Sequence, residues 1–206
     1  MTFLKTLAAG FAATSLAFAA LPAAAHDDVK VVASFSILGD MVEQVVGDYA
    51  SVTTIVGPDA DAHVYQPSVA DAKAVAGADV IFVNGLGFET WSDTLIKESG
   101  TDATVFVATE GVTPVKVDGE TDPHAWNSLT NGAIYVRNIA DAMGKALPEH
   151  ADDFTANADA YIARLEALDK ETRKKLAALP EDRRTVVTAH DAFGYLADAY
   201  GLTFLA

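Results

Sequence analysis

Residues 57–84 read GPDADAHVYQPSVADAKAVAGADVIFVN, and the fold class can be inferred outward from this segment. An apolar run at 52–56 leads into it, and a second apolar run at 80–83 lies near its end. Between them the pattern predicts a loop that carries His63 and a helix that begins near Ser68. Open α/β sheets bind ligands beyond the carboxyl ends of their strands. His63 is therefore the first candidate ligand-binding side chain.

Three residues mark the start of the predicted helix. Pro67 disfavours helical backbone at the residue before it, and Ser68 is a good N-cap. Asp71, three positions after the cap, can reach back to the helix start. The loop that carries His63 is therefore expected to be held at both ends.

The rest of the chain continues the alternation of strands and helices. Further strands are predicted at 30–35, 104–108, 185–188 and 202–205. Further helices are predicted at 37–46, 89–97, 130–147 and 191–200. This alternation predicts right-handed crossovers and a mostly parallel sheet. A polar loop at 111–127 interrupts the alternation and carries His124.

One long helical pattern runs over 149–179, directly after Pro148. A helix of about 30 residues is about 45 Å long, which exceeds the needs of one small lobe. Its narrow apolar stripe fits a coiled-coil partner or a strut between lobes, and the strut is favoured because a strand pattern follows at once. We therefore predict an α/β protein of two parallel-sheet lobes joined by a long rigid helix. The lobes are placed at 26–147 and 181–206, the linking helix at 148–180, and the second lobe is expected to be incomplete in this chain.

Charge and cysteine content exclude several functions. The formal net charge of the 206 residues is −15, which argues against nucleic acid or an anionic membrane surface as a partner and is compatible with a cationic ligand. The chain has no cysteine, so it can form neither a disulfide nor a thiolate metal site.

Residues 1–25 have the order of a secretory signal peptide. Lys5 precedes an apolar run at 7–21, and small residues at 23–25 form a cleavage site. The apolar run is too short for a membrane anchor, which needs about 20 residues. We expect export to the periplasm with cleavage after Ala25, and no lipid anchor because no cysteine lies near that point.

Three of the five histidines are candidate metal ligands. His63 and His190 follow predicted strands and His124 lies in the polar loop, whereas His26 and His150 are expected to be solvated surface residues. Three neutral imidazoles suit zinc, and manganese, iron or copper are possible on ligand type. Spacings of about 60 residues form no local metal motif. Taken singly, each histidine is more often a hydrogen-bonded structural residue than a ligand.

Three segments resemble the ligand motifs of the metal-binding proteins that serve ABC importers of zinc and manganese. They are GPDADAHVYQPS at 57–68, DPHAW at 122–126, and AHDAFGYL at 189–196 followed by YGL at 200–202. The resemblance runs from about Val29 to the end of the chain and keeps the motifs in order.

The resemblance implies two α/β lobes joined by a long rigid helix, with the metal in the cleft between them. It also implies that His63 and His124 are ligands from the first lobe and His190 from the second, with a carboxylate further along the second lobe as the fourth. Manganese members tend to have a carboxylate at the third position and zinc members a histidine, so His190 indicates zinc and leaves manganese as the alternative. The loop before the second motif lacks the histidine-rich insertion of many zinc members.

The predicted function is therefore that of a periplasmic zinc-binding protein, not an enzyme, that delivers the ion to an ABC transporter permease. Two alternatives belong to other classes of protein. A three-histidine zinc hydrolase would use an open coordination position and Asp191 as general base, and an extracellular adhesin would share this architecture. The motif contexts resemble transport proteins and favour the carrier. Loading by a metallochaperone is left open, and the complete protein is expected to be a monomer.

Overall fold

A computed structural model describes residues 29–117 and 119–206, so the predicted signal peptide at 1–25 lies outside the described residues. Within them, strands and α-helices alternate as the sequence predicts. In chain order they are β1 (Val29–Phe35), α1 (Ser36–Val46), β2 (Ala50–Val56), α2 (Val69–Ala76), β3 (Val80–Val83), α3 (Ser92–Ser99), β4 (Thr104–Val107), β5 (Lys116–Val117), β6 (Glu120–Thr121), α4 (Leu129–Ala146), α5 (Ala151–Ala177), β7 (Thr185–Val187), α6 (Gly194–Tyr200) and β8 (Thr203–Leu205).

The main sheet has four parallel strands in the order β2-β1-β3-β4. Central strand β1 pairs with both neighbours, and Val31 lies opposite Val52 on one side and Val80 on the other. Helix α1 approaches β2 closely, since a Cβ atom at Gly39 would clash with the Thr54 hydroxyl. The parallel sheet and the buried, apolar β1 and β3 agree with the fold class predicted from the sequence.

Helix α2 begins as the sequence predicts. The Ser68 hydroxyl accepts a hydrogen bond from the Asp71 amide at 3.3 Å, and the Asp71 carboxylate accepts one from the Ser68 amide at 2.6 Å. This reciprocal pair satisfies two backbone donors that the helix start would otherwise leave unpaired. It fixes the carboxyl end of the loop that carries His63.

Helices α1, α4 and α5 pack together to form much of the core. Tyr135, Ile139 and Phe154 are completely buried there. Truncation of a side chain such as Phe154 to alanine typically costs about 3–5 kcal/mol of unfolding free energy. The amino-terminal half of α5 therefore belongs to the core of the first lobe.

The long helix differs in detail from the predicted 149–179. A separate 3₁₀ turn occupies Pro148–His150, and α5 itself has 27 residues. Phe154 and Leu165 are buried, whereas Leu168 is 49% exposed, so contact with the first-lobe core ends within the helix. Beyond that point α5 contacts α6. The helix thus connects the two α/β units, while the lobe boundaries at 147 and 181 stay predictions.

The second unit consists of β7, α6 and β8. Its two strands are parallel, with Val186 opposite Phe204. The helix predicted at 191–200 begins only at Gly194. The reason is that the Ala192 amide and carbonyl are already engaged, the amide by the His190 carbonyl and the carbonyl by a side chain of the first unit.

Two other local predictions were inaccurate. The helix predicted at 89–97 begins at Ser92. The preceding segment forms a turn instead, in which Leu86 has a φ of +55° and the Glu89 carboxylate accepts a hydrogen bond from the backbone amide of Asn84. The polar loop at 111–127 contains the β5–β6 hairpin and a short 3₁₀ turn at Ala125–Asn127. None of the helices in the described part of the chain has both the length and the apolar character needed to cross a membrane.

Candidate metal centre

The structure brings together the three histidines that the sequence singles out. His63 lies on the loop after β2, His124 follows β6, and His190 follows β7. One ring nitrogen from each lies within 4.8 Å of the others, and the Nε2 atoms of His63 and His124 are 2.9 Å apart. A tetrahedral ion with bonds of 2.0–2.1 Å separates its nitrogen ligands by about 3.3 Å. The separation of the His63 and His124 nitrogens is therefore close to that which one ion requires, and a His190 nitrogen lies within 4.8 Å of both histidines.

His63 is half-buried on a loop that is anchored along its length. The Asp61 carboxylate accepts the His63 amide at 2.9 Å, and the Trp91 indole donates to the Ala62 carbonyl at 2.8 Å. The Phe88 ring meets the imidazole edge-on, with centroids 4.8 Å apart. Burial lowers the pKa of His63 below its ordinary 6.5, and the neighbouring His124 lowers it further. The neutral imidazole, which is the form that binds metals, is thereby favoured.

His124 is buried, and a carboxylate orients it. The Oδ1 atom of Asp122 accepts hydrogen bonds from the His124 amide at 2.9 Å and from the ring Nδ1 at 2.7 Å. The proton is thus held on Nδ1, and Nε2 keeps its lone pair for an ion. Burial opposes ionisation of Asp122, but its hydrogen bonds to His124 outweigh this effect, so the pKa of Asp122 is lowered.

A buried polar network supports the loop that carries His124. The Asn84 side chain donates to the Pro123 carbonyl at 2.9 Å and accepts from the Tyr135 hydroxyl at 2.5 Å. The Glu89 carboxylate accepts a hydrogen bond from the backbone amide of Asn84 at 2.6 Å. Burial raises the pKa of Glu89. Because buried polar groups are costly to leave unpaired, this network favours one loop conformation.

His190 differs from the other two because it is exposed and lies in irregular backbone. Its carbonyl accepts the Thr188 hydroxyl at 3.0 Å and the Ala192 amide at 3.1 Å. Its ring centroid is 5.4 Å from that of His63 and 5.1 Å from that of His124. The third imidazole thus completes the cluster from the second α/β unit.

The three imidazoles line a cleft of about 590 Å³. Aromatic rings form part of its wall, with the Phe88 and Trp126 centroids 4.8 Å apart and Phe35 within 4.9 Å of both. An apolar wall of this kind limits water access and strengthens electrostatic interactions at the site. The cleft can hold a metal ion together with its remaining ligands.

The other two histidines do not join the cluster. His150 was expected to be a solvated surface residue, but its ring stacks on Tyr49 at 4.1 Å and pairs with the Asp153 carboxylate at 3.2 Å. That prediction was wrong, because the 3₁₀ turn before α5 places His150 against an aromatic side chain. His26 lies outside the described residues.

The sequence reasoning assigned no role to Asp122, Asn84 or the aromatic wall. One signal for Asp122 was present, since Asp61 and Asp122 each lie two residues before a candidate histidine. This spacing suits a side chain that accepts the backbone amide two positions on. Asn84 is remote in sequence from the loop it supports, and no local pattern identifies it.

A parallel α/β sheet, a long helix that leads to a second α/β unit, and three imidazoles that converge from loops of both units are the features of the class of metal-binding solute-binding proteins. The sequence matches the ZnuA family, described as the periplasmic component A of zinc-uptake complexes, over residues 31–206. The chain belongs to this family, and the resemblance seen in the sequence is thereby confirmed. The family consists of solute-binding proteins, so the prediction that the chain is not an enzyme is confirmed as well.

Two curated relatives illustrate the similarity. The iron-binding protein YfeA of Yersinia pestis is 38% identical over 177 residues, which are 84% of this chain and 57% of the relative. The manganese-binding lipoprotein MntA of Halalkalibacterium halodurans is 38% identical over 176 residues, 85% of this chain and 59% of the relative. The chain thus spans less than three fifths of the length of these relatives.

Two solved structures show the same fold. The Mn-bound periplasmic metal-binding protein from candidatus Liberibacter asiaticus has a TM-score of 0.80 and 32% identity, covering 86% of this chain and 68% of its own. The Zn(II)-bound AdcA from Streptococcus pneumoniae has a TM-score of 0.78 and 31% identity, covering 87% of this chain and 39% of its own. The α/β fold predicted from the sequence is confirmed.

The relatives differ in the metals that their names specify. Iron, manganese and zinc all occur among them, so family membership establishes metal binding as the family property without selecting one ion. MntA is named a lipoprotein, and the expectation that this chain lacks a lipid anchor gains no support from such relatives.

Proposed function

We propose that this chain binds one divalent transition-metal ion through His63, His124 and His190 and acts as the solute-binding component of an ABC metal importer. In this role the protein captures the ion outside the cytoplasmic membrane and passes it to a permease. The predicted signal peptide at 1–25 is consistent with that location, and several relatives are named as substrate-binding lipoproteins of ABC transporters.

The observation that carries the proposal is the convergence of three imidazoles from loops far apart in the sequence. They come from 63, 124 and 190, yet their donor atoms lie within 4.8 Å. Bringing three polar rings together costs conformational entropy and desolvation, and a bound ion offsets both. In addition, Asp122 leaves the Nε2 atom of His124 free to bind a metal, and burial lowers the pKa of His63, which favours its neutral form.

Zinc is the proposed metal, with manganese as the alternative. Imidazole nitrogens suit zinc, whereas manganese prefers oxygen ligands such as carboxylates and water. The three protein donors in the cluster are all imidazoles. Manganese is the alternative because one relative is named a manganese-binding protein and one similar structure holds manganese, and a further relative is named for iron.

A titration of the purified chain against a competing chelator tests the proposal. Zinc should bind with one ion per chain and more tightly than manganese. The single variants His63→Ala, His124→Ala and His190→Ala should each weaken zinc binding at least about tenfold, the loss expected when even one partner of a charge-assisted contact is removed.

His150→Ala is the control, because it removes an imidazole that lies outside the cluster. Circular dichroism of each variant establishes that it is folded. Equal loss of zinc affinity in His150→Ala, or unchanged affinity in two of the three cluster variants, would contradict the assignment of the ligands. Tighter binding of manganese than zinc would select the alternative metal.

A further inference from the structure

The segment after His190 is attached to the first lobe by a buried tyrosine. Tyr195 is 3% exposed, and its hydroxyl accepts a hydrogen bond from the Val115 amide at 3.1 Å and donates one to the Asp122 carbonyl at 3.0 Å. Val115 and Asp122 flank the β5–β6 hairpin, 80 and 73 residues before Tyr195 in the sequence. A single hydroxyl thus joins the start of α6 to the backbone that leads into the second histidine loop.

Asn127 makes a second attachment. Its side-chain amide donates to the Ala192 carbonyl at 2.7 Å, two residues beyond His190. Between the two attachments the chains approach very closely, since a Cβ atom at Gly194 would lie 2.6 Å from the Asp122 Oδ2 atom. Glycine therefore allows the start of α6 to lie directly against the residue that orients His124.

The local support of His190 is weak by comparison. Residues 188–193 form no helix or strand, and the imidazole is exposed. Short-range hydrogen bonds to the His190 carbonyl shape the turn, but they do not set its distance from the first lobe. The contacts of Tyr195 and Asn127, by contrast, join this segment to the first lobe across the cleft.

We propose that Tyr195 and Asn127 are positioning residues that hold the His190 loop against the first lobe, so that the third imidazole stands beside the other two before the ion arrives. This inference rests on the proposed function, because it assigns the attachments a role in metal binding. If the His190 loop is already ordered, metal binding does not have to offset the entropy lost in ordering it. The attachments thus raise the affinity of the site through His190 and touch no metal themselves.

Tyr195→Phe tests this directly, because it keeps the buried ring and removes the hydroxyl. Tyr200→Phe is the matched control, since Tyr200 lies on the same helix but its hydroxyl donates to Asp169 of α5 at 2.8 Å and makes no contact across the cleft. Zinc affinity is measured for both variants by chelator competition, in the wild-type background and in the His190→Ala background. Asn127→Ala is measured in the same way.

In the wild-type background, Tyr195→Phe and Asn127→Ala should each weaken zinc binding about threefold to tenfold, the range expected for loss of one or two hydrogen bonds. In the His190→Ala background the same changes should have almost no effect, because the imidazole that they position is gone. Tyr200→Phe should leave the affinity unchanged in both backgrounds. Hydrogen exchange in residues 186–193 of the metal-free protein should be faster in Tyr195→Phe than in Tyr200→Phe.

Three results would overturn the inference. Tyr195→Phe could bind zinc as tightly as the wild type, it could lose the same factor in both backgrounds, or Tyr200→Phe could lose as much as Tyr195→Phe. The second and third results would indicate a general effect on folding. The proposed function fails separately, if the wild-type chain itself does not bind zinc or another divalent transition metal.

Discussion

Asp61 and Asp122 show how similar residues in similar positions acquire different roles. Each lies two positions before a histidine and accepts the backbone amide of that histidine at 2.9 Å. Only Asp122 also accepts the ring Nδ1 proton, because its loop folds back so that the carboxylate and the imidazole are buried together. The two-residue spacing suits both contacts with the backbone amide, but the contact with the ring depends on tertiary packing.

Asp122→Ala should weaken zinc binding about 10- to 100-fold, because the His124 ring loses the partner that fixes its orientation and tautomer. Asp61→Ala is the matched control and should cost only a few-fold, since this carboxylate hydrogen-bonds a backbone amide and not a ring. Chelator competition measures both affinities. Equal losses in the two variants would show that orientation of the His124 ring contributes little.

The protonation of His63 should follow its surroundings. Burial and the adjacent His124 lower the pKa of His63 from 6.5, so in the metal-free protein this imidazole stays neutral as the pH falls through 6.5. It takes up a proton only when the pH falls through the lowered pKa, and from there downward protons compete with the metal for His63.

An NMR titration of the metal-free protein measures this midpoint, with the His63 ring signals assigned by their loss in His63→Ala. A midpoint below 6.5 is expected. A midpoint at or above 6.5 would mean that the neighbouring Asp61, which raises the pKa, outweighs burial.

At the scale of elements, the sequence predicted the strands and helices well. It predicted the conformation of the loops between them only in part. Strand periodicity placed β1, β2 and β3 closely, and the pair Ser68 and Asp71 located the start of α2 because capping is a local interaction. The start of α6 was misplaced by three residues, because hydrogen bonds from a remote part of the chain hold the preceding backbone out of a helix. Such contacts leave no periodic signal.

The long helix α5 shows the same limit in another form. Its length and its position between two α/β patterns indicated a linking helix. The sequence did not predict which apolar residues of α5 are buried. Phe154 and Leu168 belong to one apolar stripe in the sequence, yet Phe154 is buried and Leu168 is exposed. The amino-terminal half of α5 packs on the first lobe, and the remainder contacts α6 of the second unit.

At the scale of the whole molecule, three separate loops must meet at one point for an ion to bind. The sequence identified the three histidines, and the family motifs supplied the expectation that they converge. Residue spacing alone could not predict this convergence, since about 60 residues separate each histidine from the next along the chain. Convergence results from the position of His63 after the carboxyl end of β2, from the buried network around Asn84 that supports the His124 loop, and from the attachments across the cleft that hold the His190 segment.

X-ray absorption at the zinc edge of the loaded protein tests the central claim most directly, because it counts imidazole ligands and measures their distances. The account predicts three imidazole nitrogens at about 2.0–2.1 Å and one further light ligand, with two imidazoles remaining in His190→Ala. Fewer than three imidazoles in the wild type, or an unchanged spectrum in His190→Ala, would contradict it.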